Sequence, residues 1–250
     1  MKFCLNLCLL TLGFSESAFG SACFTGATLQ DYLSSGGCTI AAGGHTYTVD
    51  QFTFLAVGVL ATPSTPNEIK VTTSVGPNGP MVNFDVSALA AGLVSAETYL
   101  FGFDIVADSP AIQFTGVNLS EKSALTGLSA GIAAEEDCSG GALPLPSKIN
   151  VLSLGSGGLA CLGGGVSVGA SIGLGSLVPG SADANVNIPI NRFSSSVDVL
   201  KELQLVAVAG SAQINNVGQA FTVTPEPASF FFAGCGLLAL GMLRKRKEGE

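Results

Sequence analysis

The sequence predicts a single, mostly β domain of sandwich-like build, and three observations carry that expectation. First, charged residues make up only 11% of the chain, while 33 of the 250 residues are glycine and 47% are hydrophobic. That is not the charge-rich, apolar-poor profile of a disordered polypeptide. Second, short runs of alternating or β-branched residues recur between turn residues, as expected for strands with one buried face. Third, residues 21–223 lie between two apolar ends, are long enough for one full-sized core, and carry no repeat of solenoid length.

The elements follow in chain order. Met1-Lys2, an apolar run from Phe3 to Phe14, and small residues at Ala18 and Gly20 describe a secretory signal peptide over residues 1–20. Small residues before Cys23 leave a lipoprotein signal as an alternative. Thr28 to Leu33 fits one or two helical turns with Thr28 as N-cap, ended by Gly36-Gly37. His45 to Val49 and Gln51 to Leu55 read as strands. Lys70 to Ser74 and Met81 to Val86 follow, joined by Pro77-Asn78-Gly79-Pro80, where Pro fixes φ and Asn-Gly accepts positive φ. Glu97 to Val106, Ala111 to Leu119 and Ala130 to Glu136 are further strands. Ser153 to Gly180 is glycine-dense and fits either an exposed loop or thin strands with glycine at bulges. Val197 to Gly210 and Ala212 to Val223 read as a closing hairpin. Little polar alternation from Gln204 to Ala209 predicts burial on both faces there.

The tail is the most informative stretch. Pro225-Glu226-Pro227 precedes an uncharged run from Ala228 to Leu243, then Arg244-Lys245-Arg246-Lys247 and the end residues 248–250. The run is sixteen residues, roughly 24 Å of helix against a hydrocarbon core of about 30 Å. Three consecutive Phe and an abrupt basic cluster favour a membrane segment over a core helix, with the basic side on the cytoplasmic face. This order of motif, apolar helix and basic stop over residues 224–247 resembles the PEP-CTERM sorting signal of Gram-negative bacteria. The resemblance implies an exosortase-type membrane protease as partner, an inner-membrane intermediate, and release to the cell surface or the extracellular matrix, where exopolysaccharide is a possible neighbour. It implies a substrate site at Pro225, Glu226 and Pro227, not a catalytic one. The two prolines keep the preceding peptide extended, and Glu226 is its charged handle. Cys235 inside the apolar run reads as a packing residue.

Cysteine usage agrees with export. Cys4 and Cys8 fall in the signal peptide and Cys235 in the tail, which leaves Cys23, Cys38, Cys138 and Cys161. Four cysteines in an oxidising compartment suggest two disulfides, with three possible pairings. The nearest pairs, Cys23–Cys38 and Cys138–Cys161, close loops of moderate size and are favoured. A zinc site is the alternative, though no Cys-x-x-Cys is present and His45 is the only histidine. The body is also similar to a group of exported PEP-CTERM proteins with no assigned enzymatic activity. That likeness runs through Cys23, Gly26, Leu29, Tyr32, Gly36-Gly37-Cys38-Thr39-Ile40, Phe52, the Gly76–Pro80 turn, Glu135 to Cys138, the Val-x-Lys-Glu-Leu strand and Gln219-Ala220-Phe221. It supports the same pairing and a single domain.

Candidate chemistry is sparse. Between residues 21 and 227 there are five Lys and Arg against fifteen Asp and Glu, a net charge near −10, which speaks against nucleic-acid binding. Gly-x-Ser-x-Gly occurs around Ser129, Ser167 and Ser171, but a hydrolase of that type needs a histidine downstream, and His45 lies upstream of all three. Glu135-Glu136-Asp137 is the densest acidic run and reads as a solvated strand end, with calcium as the sharper alternative there and at Asp104 and Asp108. No cofactor and no catalytic residue are expected. The expectation is an exported, non-enzymatic envelope or matrix protein. The alternative is a membrane-tethered surface module that binds glycan or calcium.

Overall fold

The computed structural model describes residues 21–24, 26–141, 161, 166–176 and 180–224. The signal peptide over 1–20, the tail motif at Pro225–Pro227, the apolar run and the basic cluster Arg244–Lys247 lie outside the described residues. Among the described residues, no helix is long and apolar enough to cross a membrane.

One short helix opens the domain, α1 (Leu29–Ser35). Thr28 caps it as its sequence predicts. The Asp31 amide donates to the Thr28 hydroxyl, and the Thr28 amide donates to the Asp31 carboxylate at 2.8 Å. Gly36 ends the helix in the left-handed region, with φ of 79°. Leu29 and Tyr32 point into the core, where Tyr32 stacks on Phe52.

Nine strands follow among the described residues: β1 (Gly37–Ala42), β2 (His45–Val59), β3 (Lys70–Val75), β4 (Pro80–Gly92), β5 (Ser95–Ala107), β6 (Phe114–Ser139), β7 (Val166–Ser176), β8 (Gly180–Ser194) and β9 (Ser196–Val223). All named strand pairs are antiparallel and belong to one sheet. The organising strand is β9. Along one edge it pairs first with β5 and then with β4. Along the other it pairs with β6 for nearly its whole length. Thus β4 and β5 form one bent run beside β9. In the same way β3 and β2 lie end to end beyond them, and β8 and β7 lie end to end beyond β6.

This long sheet folds back on itself. Phe84 on β4 and Phe101 on β5 are 17 residues apart in sequence, on the order of 55 Å in extended chain. Their rings nevertheless stack at 5.3 Å. The contact requires the two halves of the sheet to face each other as layers. Phe103, Phe114 and Phe221 continue the same aromatic seam between the layers. The fold line is a row of three glycines across three strands: Gly92 on β4 and Gly127 on β6 both stand opposite Gly210 on β9. All three have positive φ.

The amino-terminal stretch covers the β1 and β3 edges. The Cys23 amide donates to the Thr39 carbonyl of β1 and the Thr39 amide to the Ser21 carbonyl, while the Val71 amide of β3 donates to the Ala27 carbonyl and the Leu29 amide to the Ile69 carbonyl. The Cys23–Cys38 disulfide fixes this strap to β1. An otherwise unpaired sheet edge is thereby protected.

Several expectations are met and several corrected. The sandwich-like β class, the cap at Thr28, the turn at Pro77–Pro80 and both disulfides are as expected. The strand reading of the glycine-dense stretch holds for β7, which pairs with β6 without a bulge, and for Gly180 at the start of β8; residues 153–160, 162–165 and 177–179 lie outside the described residues. The predicted closing hairpin is instead the single strand β9, because Gly210 bends the chain at the fold line without reversing it. Likewise Ala111–Leu119 and Ala130–Glu136 belong to one strand, β6, which begins at Phe114. His45–Val49 and Gln51–Leu55 merge into β2 around an irregularity at Gln51, where φ is 53°. Burial on both faces of β9 occurs earlier than predicted, at Leu200–Leu203. From Gln204 to Ala209 burial alternates, with Val206 and Val208 exposed.

Candidate functional site

The sorting residues Pro225, Glu226, Pro227, Arg244, Lys245, Arg246 and Lys247 lie outside the described residues, but the residue before them does not. The Thr224 amide donates to the Gln113 carbonyl at 2.9 Å, and the Gln113 amide donates back to the Thr224 hydroxyl at 3.3 Å. The paired part of the domain therefore extends to the position preceding Pro225.

A cleft of about 390 Å³ lies at this end of the sandwich, opposite the fold line. The β1–β2 turn supplies Gly43 and His45, the β3–β4 turn supplies Pro77 and Asn78, and β9 supplies Thr222 and Thr224. The His45 ring lies 3.3 Å from Asp108, whose second oxygen accepts the Thr46 amide at 2.8 Å. Asp108 thus fixes the ring direction. Tyr47 forms part of the cleft wall, and burial raises its phenol above the usual range. This lining sets hydrogen-bond donors and acceptors among apolar groups such as Val75, Ile112 and Val223.

The Gly-x-Ser-x-Gly stretch at 127–131 belongs to the fold line rather than to a strand-to-helix turn. The Ser129 hydroxyl donates to the Thr126 carbonyl at 3.1 Å, at the far end of the domain from His45. Ser167 and Ser171 fall within β7.

The acidic run was expected at a solvated strand end, and the structure corrects this. Glu135, Glu136 and Asp137 are fully buried. Successive strand residues point to opposite faces, so the three carboxylates do not converge on one ion. Glu135 stands directly opposite Lys201, and the two side chains make a buried hydrogen-bonded contact. Lys201 Nζ also donates to Gln219 Oε1 at 2.5 Å, across from the other half of β9. Burial lowers the Lys201 pKa well below its usual value and raises that of Asp137. Cys138 faces the other way, and its disulfide to Cys161 packs on Leu100, Ala134 and Leu200.

A second acidic feature was not legible in the sequence. Asp50, Asp104 and Asp198 stand opposite one another across β2, β5 and β9. Burial, then the Asp198 charge, pushes the Asp104 carboxyl up to about 7, while the Gln51 amide donates to it at 2.6 Å. These aspartates are over fifty residues apart in sequence, so only the register brings them together. Among the described residues no group of His, Cys, Asp or Glu is arranged to hold a metal ion.

No protein-family model matches the chain, and no curated protein matches it. Among solved structures, the enzymatically active domain of bacteriophage CBA120 tailspike protein 4 aligns at 11% identity and a TM-score of 0.30. The alignment covers 68% of this chain and 19% of that one. The module TmCBM61 in complex with β-1,4-galactotriose aligns at 10% identity and a TM-score of 0.26, covering 69% of this chain and 88% of that one. A family 11 carbohydrate-binding module from Clostridium thermocellum aligns at 10% identity and a TM-score of 0.23, covering 66% and 87%. At these identities and scores, none of them assigns a ligand or a reaction to this chain.

Proposed function

We propose that this chain is an exported, non-enzymatic protein of the cell envelope or extracellular matrix, sorted by an exosortase-type protease through its carboxy-terminal signal. The observation that carries the reading is the join between domain and tail. Thr224, the last described residue, is still hydrogen-bonded to Gln113 of the domain, and the next three in sequence are Pro225-Glu226-Pro227. Removal of the tail within that motif would leave every described residue of the body in place. Two disulfides support an oxidising destination. The role is that of a stable β body delivered outside the cell, with exopolysaccharide as a candidate neighbour.

Intact mass of the protein from its native host, split into membrane and secreted fractions, tests this reading. The expected secreted species begins near Ser21 and ends near Pro227. A membrane species that keeps Arg244–Lys247, with no shortened form elsewhere, would overturn sorting and leave a plain anchor.

The cleft favours a second reading, a surface module that binds glycan. Its mixed lining, with apolar patches beside hydrogen-bonding groups, and its His45–Asp108 pair suit a sugar ring and its hydroxyls. Titration calorimetry with a panel of soluble β-linked gluco- and galacto-oligosaccharides is then expected to show saturable binding, weakened at least tenfold by His45→Ala. Absence of heat with every member, or equal binding by the variant, removes this reading.

A further inference from the structure

The structure points to an autocatalytic cross-link in the core: we infer that Lys201 Nζ forms an isopeptide bond with Gln219 Cδ, with Glu135 as the proton shuttle. The three side chains are fully buried between the layers. Lys201 Nζ contacts both the Glu135 carboxylate and the Gln219 carboxamide oxygen. A group bonded to Oε1 sits beside the carbon it would attack. Glu135 Oε1 and Gln219 Nε2 have no hydrogen-bond partner among the described residues. Unsatisfied buried polar atoms are costly, and a native core retains few of them. Here one of them is the leaving group and the other belongs to the group that would protonate it.

The chemistry balances without a co-reactant. The Nζ lone pair adds to Cδ, Nζ passes a proton to the Glu135 carboxylate, and the same carboxyl protonates Nε2. The Cδ–Nε2 bond then breaks, ammonia leaves, and Glu135 returns to its starting state. An amine must be neutral to attack, and burial of Lys201 favours the neutral form. Register supplies proximity, because Glu135 and Lys201 are direct cross-strand partners and the bend at Gly210 returns Gln219 to the same core. The product would tie the two layers together within β9, across the fold line.

Peptide mapping of the protein purified from its native host tests this. Cleavage at Arg192 and Glu202 separates Phe193–Glu202 from the peptide that begins at Leu203, which has no Lys or Arg up to Pro227. The expected product is one branched peptide joining the two, about 17 Da lighter than their sum through loss of ammonia, and resistant to trypsin at Lys201. Glu135→Gln is expected to restore both unlinked peptides and cleavage at Lys201. Unlinked peptides from the natural protein would overturn the inference whether or not the variant folds. So would a branched peptide joining Lys201 to Glu135 through loss of water.

Discussion

Gly210→Ala is expected to destabilise the domain by about 3 kcal/mol or more, and Gly127→Ala by a similar amount. A Cβ at residue 210 would meet the Thr126 carbonyl oxygen at 2.0 Å, and one at residue 127 would meet the Ala209 oxygen at 2.2 Å. Both obstacles are backbone in the β6–β9 ladder, so neither can move aside as a flexible side chain would. Positive φ adds a conformational cost at each position. Gly92, the third member of the row, also has positive φ but open space where its Cβ would stand. Gly92→Ala should therefore lose only about 1 kcal/mol, the conformational part alone. Urea unfolding of the three variants reads this directly as midpoints at constant slope. Equal losses at residues 92, 127 and 210 would contradict the close approach of β6 to β9 at the fold line.

That row shows where sequence reasoning stops. Gly210 sits between two β-rich runs, and locally it has the signature of a hairpin turn. Whether such a glycine reverses the chain or only bends it depends on its partners, Gly92 and Gly127, which are 118 and 83 residues away. Strands of 26 and 28 residues are also far longer than the usual range, so splitting each in two was the natural reading. By contrast, the α1 cap, the Pro77–Pro80 turn and the nearest-neighbour disulfides depend on residues close in sequence, and they were legible. The acidic run Glu135–Asp137 follows the same rule. Nothing near it in the chain signals burial, because the Lys201 partner of Glu135 is 66 residues away. The cleft also escaped sequence reading. In the sequence His45 opens a strand and lies upstream of every candidate serine, whereas its orientation depends on Asp108, 63 residues on.

Glu121→Met is expected to stabilise the domain at pH 8, and to lose that advantage as the pH falls towards 5. Glu121 is buried on β6, and neither carboxyl oxygen has a hydrogen-bond partner among the described residues. Burial raises its pKa to about 7, against smaller opposing effects of the nearby Ser123 hydroxyl and Ala133 backbone, which fall short of full hydrogen-bond geometry. The unfolded chain titrates near the ordinary glutamate value of about 4.3. Between these two values the folded state holds the proton and the unfolded state has released it. The stability contributed by this group is therefore full below about pH 4.3, falls by up to about 1.4 kcal/mol per pH unit as pH rises, and levels off above about 7. Asp104 and Glu202, also raised to about 7 chiefly by burial, act in the same direction. A Lys201 amine left free acts in the opposite direction, because its depressed pKa favours folding at higher pH. Comparison of natural protein and variant at each pH isolates Glu121, since contributions from independent sites cancel in the difference. Methionine fills a similar volume with no charge to desolvate, so the variant removes the cost of keeping a carboxylate in the core at high pH. Melting temperatures of both proteins from pH 5 to pH 8 should diverge as pH rises. Parallel curves would show that Glu121 is solvated or paired in solution, and a destabilised variant at pH 8 would assign the carboxylate a structural partner.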